Sequence, residues 1–344
     1  MQLKYLTPFA FLALVPLGGW LGGAWTFAAA AATPLCLTAF DALFGDDERR
    51  SDAPDVAGAM WLPKIYIVLQ LATTAWAVAW VSRPSATWLE LAGLAVSCGV
   101  VTGVFGFVAA HELIHSRERR ERAIGLTLLA TLLYMHFRIA HVQGHHVRAA
   151  TEEDPASARL GEGLYTFLLR SVAGQLREAW GFEAERRRRA GLPVAGFGNR
   201  LIGYLVVEGA FLGSLALVGS RALVFVLVVA AIAVMLLESF NYVAHYGLSR
   251  RPAADGRHER LGPHHSWNSS RRMNNAALFN MGRHSDHHRR MVRPYQELEP
   301  VTGSAILPSG YAAALLMALL PPLWMRVMDP RAKAVMAVRP SVIE

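Results

Sequence analysis

Residues 87–115 read TWLELAGLAVSCGVVTGVFGFVAAHELIH, an apolar run from 87 to 110 that passes without a break into His111-Glu-Leu-Ile-His115. A helix needs about 20 apolar residues to cross a bilayer. This one stretch therefore predicts a transmembrane helix whose end carries two histidines. Four residues apart, His111 and His115 share a helix face. Neutral imidazole is a common ligand of iron and zinc, so the helix would deliver two metal-binding groups to the edge of a membrane.

Five further apolar runs lie at roughly 6–22, 24–44, 63–81, 200–219 and 222–243. Of the 344 residues, 53% are hydrophobic and only 17% charged, fewer charges than a soluble chain usually carries. The fold class read from this is an all-α membrane protein, one domain over 1–344, with about six transmembrane helices and a histidine-rich cap. Gly22-Gly23 joins the first two runs as a tight hairpin, and no small-residue cleavage site separates them, so a removed signal peptide is not expected.

Charge placement orients the spans. Lys4, Arg49, Arg50, Lys64, Arg117, Arg119, Arg120 and Arg122 fall on one side of the six-span arrangement, and only Arg83 and Arg221 near helix ends on the other. The positive-inside rule makes the first side cytoplasmic, which predicts a multi-pass bacterial inner-membrane protein with segments 111–199 and 245–344 facing the cytoplasm. The net charge of +8 is explained by arginines beside transmembrane ends in contact with anionic membrane lipid, and the run Arg186 to Arg189, in a polar stretch, reads as a solvated or lipid-facing face. No nucleic-acid motif accompanies it, so no such partner is expected.

Cys36 and Cys98 both lie inside apolar runs. Two thiols cannot build an iron–sulfur or rubredoxin-like centre, which needs about four, so electrons for any redox chemistry must come from another protein. The apolar piece 123–137 is too short to span and reads as a helix packed at the membrane surface or under the site. The stretch 305–328 is broken by Pro321-Pro322, which favours an interfacial or re-entrant segment over a seventh span. Trp61 and Tyr66, near a helix end, read as interface anchors.

Nine of the thirteen histidines fall into four tight groups: His111 and His115; His141-Val-Gln-Gly-His145-His146; His245 in Asn241-Tyr-Val-Ala-His245-Tyr-Gly; and His284-Ser-Asp-His287-His288. The first group spells H-E-x-x-H, which alone reads as a zinc protease with Glu112 as general base. Such a site uses two histidines, one further ligand and a water. It leaves seven grouped histidines without a role, so the protease is the weaker reading. Nine nitrogen donors are too many for one first-row metal and suit two. A ligating histidine usually donates its other N–H to a carboxylate or carbonyl. Glu112, Asp154, Glu238 and Asp286 are the candidates for that task, with Asn241 a weaker one. His136, His258, His264 and His265 lack the spacing and read as surface or structural, His265 being the strongest exception.

These runs resemble the four histidine boxes of the integral-membrane alkane 1-monooxygenase (alkane hydroxylase) family of the fatty-acid desaturase/hydroxylase superfamily. The resemblance extends to Ala150-Thr-Glu-Glu-Asp-Pro-Ala-Ser-Ala-Arg159, His265-Ser-Trp-Asn-Ser269, Leu307-Pro-Ser-Gly-Tyr311 and Pro321-Pro-Leu-Trp-Met-Arg-Val-Met-Asp-Pro330. It implies a diiron centre of two Fe ligated by His111, His115, His141, His145, His146, His245, His284, His287 and His288. It also implies O2 as co-substrate and rubredoxin, itself reduced by a rubredoxin reductase, as electron donor. The implied reaction is hydroxylation of the terminal methyl of medium-chain alkanes. The neighbouring alternatives are a xylene/cymene-type alkyl-aromatic monooxygenase and a membrane fatty-acyl desaturase. The chain departs from the family at Ala140 and Ala244, where alkane hydroxylases commonly carry glutamate just before the second box and before the lone box histidine.

Overall fold

The computed structural model describes residues 3–47, 60–196, 198–253 and 256–338. Among the described residues, six helices are long and apolar enough to cross a membrane: Lys4–Leu21, Gly23–Phe44, Trp61–Val81, Trp88–Ile114, Arg200–Val218 and Ser220–His245. They match the six expected runs, with one informative difference. The sixth run ends at 243, yet its helix continues to His245, which therefore rides on the last turn of its span as His111 does on the fourth. Arg49 and Arg50, two of the charges that orient the spans, lie outside the described residues.

Local chemistry sets the helix ends. The hairpin between the first two spans turns at Gly22 (φ 72°) and Gly23 (φ 54°), left-handed conformations that glycine adopts without a Cβ penalty. The fourth span opens with a capping box: Thr87 Oγ1 accepts from Glu90 N at 3.2 Å while Thr87 N donates to Glu90 Oε2 at 2.9 Å. Glu90 Oε1 then accepts from Gly23 N at 2.9 Å, pinning the hairpin to that cap. Close packing follows, because a Cβ at Gly93 would collide with the Thr26 side chain. Asn199 caps the fifth span by accepting from Leu201 N and Ile202 N.

The fourth and sixth spans pack against each other at the centre of the bundle. The short helix Arg119–Thr131 folds back on the end of the fourth span, where Gly125 comes close to the Ala110 carbonyl; the segment 123–137 thus lies against the site. The 305–328 stretch forms two helices, Tyr311–Ala318 and Pro321–Ala337, broken at Leu319-Leu320, and neither has the length and hydropathy of a span. Trp324 is buried between Tyr242 and Tyr246, holding the second helix to the end of the sixth span. The one sheet among the described residues is a two-residue parallel ladder, Trp267–Asn268 against Ala305–Ile306. Tyr66 differs from its expected place: it is fully buried and donates to Gln70 Oε1 at 3.3 Å. Trp61 is 60% exposed, with Lys64 over its ring.

Candidate metal centre

All nine box histidines are buried at the cap end of the fourth and sixth spans, and their donor nitrogens gather into two groups. His111, His115, His141, His146 and His287 form one; His145, His245, His284 and His288 form the other. Within each, the donor atoms lie within 4.8 Å of one another. The division runs through two of the sequence boxes. Helical spacing explains the fourth, on the helix His284–Arg289: His284 and His288, four apart, share a group, while His287 turns toward the other. The same rule would pair His141 with His145, but residues His141–His145 form a π-helical turn. Its wider i→i+5 winding carries His146 round toward His141, and their Nε2 atoms come to 3.0 Å. A second π turn, Thr102–Gly106, lies one turn before His111 in the fourth span.

Donor spacing tests whether a metal fits. Nitrogens bound to one ion at about 2.1 Å sit about 3.0 Å apart at right angles. In the five-histidine group the Nε2–Nε2 separations are 2.8 Å (His111–His141), 3.3 Å (His111–His115), 3.1 Å (His115–His141), 3.2 Å (His115–His146) and 3.2 Å (His146–His287). In the other group His284 Nε2 lies 3.1 Å from His245 Nε2 and 3.0 Å from His288 Nε2. Burial first, then the neighbouring rings, hold His115, His141, His146, His284 and His288 well below the ordinary imidazole range, and His287 at about 3. These rings are neutral at pH 7, with lone pairs converging on two points. Buried lone pairs at this spacing need a shared cation to be stable, so the residues fit a pair of metal ions.

Of the four candidate carboxylates, Asp154 alone reaches a box imidazole among the described residues. Asp154 Oδ2 accepts from His145 Nδ1 at 2.7 Å and from Ser157 Oγ at 2.6 Å. Burial pushes its carboxyl up, but His145 and the Ser157 hydroxyl outweigh that and leave it below its usual range. Glu112, Glu238 and Asp286 touch no box imidazole among the described residues. Glu112 Oε1 accepts from Tyr295 N at 2.9 Å. Glu238, fully buried, accepts from Tyr134 OH at 2.9 Å, Ser171 Oγ at 2.6 Å and Asn241 Nδ2 at 3.3 Å. Asp286 binds Arg290 and Arg293. The acceptor that sequence reasoning missed is a main-chain carbonyl: His265 O accepts from His245 Nδ1 at 3.2 Å.

Of the remaining histidines, His136 is buried against Tyr134, and burial takes it down to about 4. His264 lies beside His265, and His258 pairs across a β-bridge with Pro252. Ala140 packs with Ile139, Ala179 and Leu201, and Ala244 is fully buried on the sixth span.

A cavity of about 240 Å³ opens onto both groups, reaching His111 and His141 of one and His284 of the other. Its walls are apolar, with Pro34, Leu37, Val104, Phe107, Phe240 and Leu315 among them. Phe137 stacks on the His141 ring at 4.5 Å, closing the space beside the donors.

Comparison with known proteins agrees with this geometry. The fatty acid desaturase family model matches residues 86–313. Alkane 1-monooxygenase 1 of Pseudomonas aeruginosa is 43% identical over 303 residues, covering 86% of this chain and 79% of that protein. Alkane 1-monooxygenase of Pseudomonas putida is 39% identical over 306 residues, covering 86% and 75%. The xylene/toluene monooxygenase hydroxylase component of Pseudomonas putida is 30% identical over 242 residues, covering 69% and 63%.

Proposed function

This chain belongs to the alkane 1-monooxygenase family within the fatty acid desaturases, and from there we propose that it hydroxylates the terminal methyl of medium-chain alkanes at a diiron centre. The balanced reaction is RH + O2 + 2 e− + 2 H+ → ROH + H2O. Two iron ions held by the nine histidines would supply the binding and reductive activation of dioxygen. The chain's own residues supply position and dryness. One observation carries the reading: a single apolar cavity ends on histidines of both groups.

Cavity length supports the chain-length class. Val100 and His111 both line it and are eleven residues apart on one nearly continuous helix, a distance of about 16 Å along the axis. An extended hydrocarbon advances roughly 1.25 Å per carbon, given bonds of about 1.5 Å, so about a dozen carbons fit end-on. A chain threaded this way presents its terminal methyl to the donors, which C–H bond strength alone would not select.

With only Cys36 and Cys98, the chain draws its electrons from a separate donor, for which rubredoxin and its reductase are the proposed source. The positive-inside asymmetry supports a bacterial inner-membrane location with the cap in the cytoplasm.

The test is product analysis. Iron-loaded protein is supplied with rubredoxin, its reductase, NADH and 18O2, together with a panel of alkanes and alkylbenzenes. The expected product is the labelled 1-alcohol of octane to dodecane, with about two irons per chain by metal analysis. An alkene in an acyl chain, a preference for alkylbenzenes, or stoichiometric zinc without iron would overturn the reading.

A further inference from the structure

The nine histidines differ in what stands behind them. In the four-histidine group, His145 Nδ1 donates to Asp154, whose Oδ1 also accepts from Ala156 N at 3.0 Å and whose Oδ2 accepts from Ser157. The carboxylate is 1% exposed and fixed at both oxygens. In the same group, His245 Nδ1 donates to the His265 carbonyl. That carbonyl is itself clamped. His265 Nδ1 accepts from Gly262 N at 2.8 Å, so its proton lies on Nε2, which donates to Glu259 Oε1 at 3.2 Å. By spacing alone Glu259, His264 and His265 could hold an ion; with both ring nitrogens of His265 engaged, they serve as a lock on the loop instead.

The five-histidine group has no such support. The Nδ1 atoms of His111, His115, His141, His146 and His287 are buried and find no acceptor among the described residues. The anion on this side is engaged elsewhere: Asp286, next to His287 in the chain, is buried and paired with Arg290 and Arg293. One position therefore has a buried carboxylate hydrogen-bonded behind one of its imidazoles, and the other has none among the described residues.

We infer that the two metal positions are unequal by construction, and that Asp154 is the positioning residue that makes the four-histidine position the one favouring the more highly charged ion. A carboxylate behind a ligating imidazole raises its basicity and fixes its tautomer and ring orientation, and losing one typically weakens metal binding by about 10–100-fold. When one electron is removed from the fully reduced pair by a one-electron oxidant such as ferricyanide, the ferric ion resides at the four-histidine position. This inference rests on the diiron reading above.

The test loads the full chain anaerobically with 57Fe(II) and follows binding and Mössbauer spectra, with no turnover required. The parent protein should take up two irons, giving two distinct ferrous doublets of equal area. Asp154→Asn, which keeps the shape and removes the charge, should weaken one of the two by about 10–100-fold and deplete one doublet. His287→Ala, on the opposite group, should keep the doublet that Asp154→Asn loses. One equivalent of ferricyanide should convert that same doublet to ferric in the parent. Ser157→Ala, a milder change, should shift that doublet alone. Equal weakening of both irons in Asp154→Asn, or oxidation of the other doublet first, would overturn the inference while leaving the diiron reading intact. Uptake of one iron or none by the parent would overturn the diiron reading and the inference with it.

Discussion

Val104 offers a sharp test of the threaded-chain reading, because it lines the cavity seven residues from His111 on the same helix, about 10 Å along the axis. Val104→Trp would plug the cavity there and leave room for about eight of the dozen or so carbons that the full length accepts. Each buried methylene is worth about 0.8 kcal/mol. A dodecane deprived of four of them loses about 3 kcal/mol of binding, a factor of roughly two hundred in kcat/KM. Octane, which ends short of the plug, should stay within about threefold of the parent. The assay is competitive turnover of octane, decane and dodecane in one vessel, with the three 1-alcohols resolved by gas chromatography. The ratio is read within one reaction, so differences in folded or metal-loaded fraction between preparations cancel. An unchanged dodecane-to-octane ratio would refute the end-on placement. So would a shift toward internal alcohols without loss of long chains.

Three further outcomes follow from the packing. Glu183 is buried and pairs with Arg186 and Arg200, joining the Leu164–Arg189 helix to the start of the fifth span; burial raises its carboxyl, but the two arginines outweigh that and hold it at about 2. A folded-state value below the unfolded one stabilises above the ordinary carboxylate range and is lost as pH falls toward 2, so Glu183→Gln should cost about 1–2 kcal/mol at pH 7. The thermal-unfolding difference from the parent should narrow steadily between about pH 4.5 and 2. Trp324→Ala should cost roughly 3–5 kcal/mol and open the Leu319-Leu320 break to limited proteolysis, the new fragment being read by mass spectrometry. Glu238→Leu strands the Tyr134 and Ser171 hydroxyls at about 1–3 kcal/mol each yet removes no imidazole contact, so the folded fraction should still bind two irons in the 57Fe titration.

Much of this architecture is legible in the sequence because its causes are one-dimensional. Span length and apolarity need only consecutive residues, and so the six runs reappear as six helices. The sixth ends later than its apolar run because a helix continues wherever its last turn finds packing, as Asn241–His245 do in the buried cap. Tyr66 shows the converse. Its position near a helix end suggested an interface anchor, but Gln70 one turn later offers an acceptor inside the bundle, which sequence position alone does not reveal. The five-and-four division was half legible. His111 with His115, and His284 with His288, follow the i, i+4 rule of an α-helix. His141 and His145 break it only because a π turn falls between them, and no residue in Val-Gln-Gly announces that turn.

The carboxylates teach the narrower lesson, that nearness in sequence to a ligand does not aim a side chain at it. Glu112 is one residue past His111, about 100° around the helix, and it faces Tyr295 instead. Asp286 sits between ligands in the chain, two after His284 and one before His287, so it points out of the helix toward Arg290 and Arg293. Glu238 lies on the same face as His245 but two turns below it, about 10 Å along the axis, beyond the reach of any hydrogen bond. Asp154 succeeds from a loop with no periodicity at all, because the Thr151–Ser157 turns bring it under His145. His245, for its part, is supported by a main-chain carbonyl, a group that every residue carries. What aims the second partner of a metal-binding imidazole is therefore backbone path rather than residue type. The chemistry that would distinguish two ions in this centre is set by the course of the loops at 150–157 and 259–265, where a change that spares every histidine can still alter one metal and leave the other untouched.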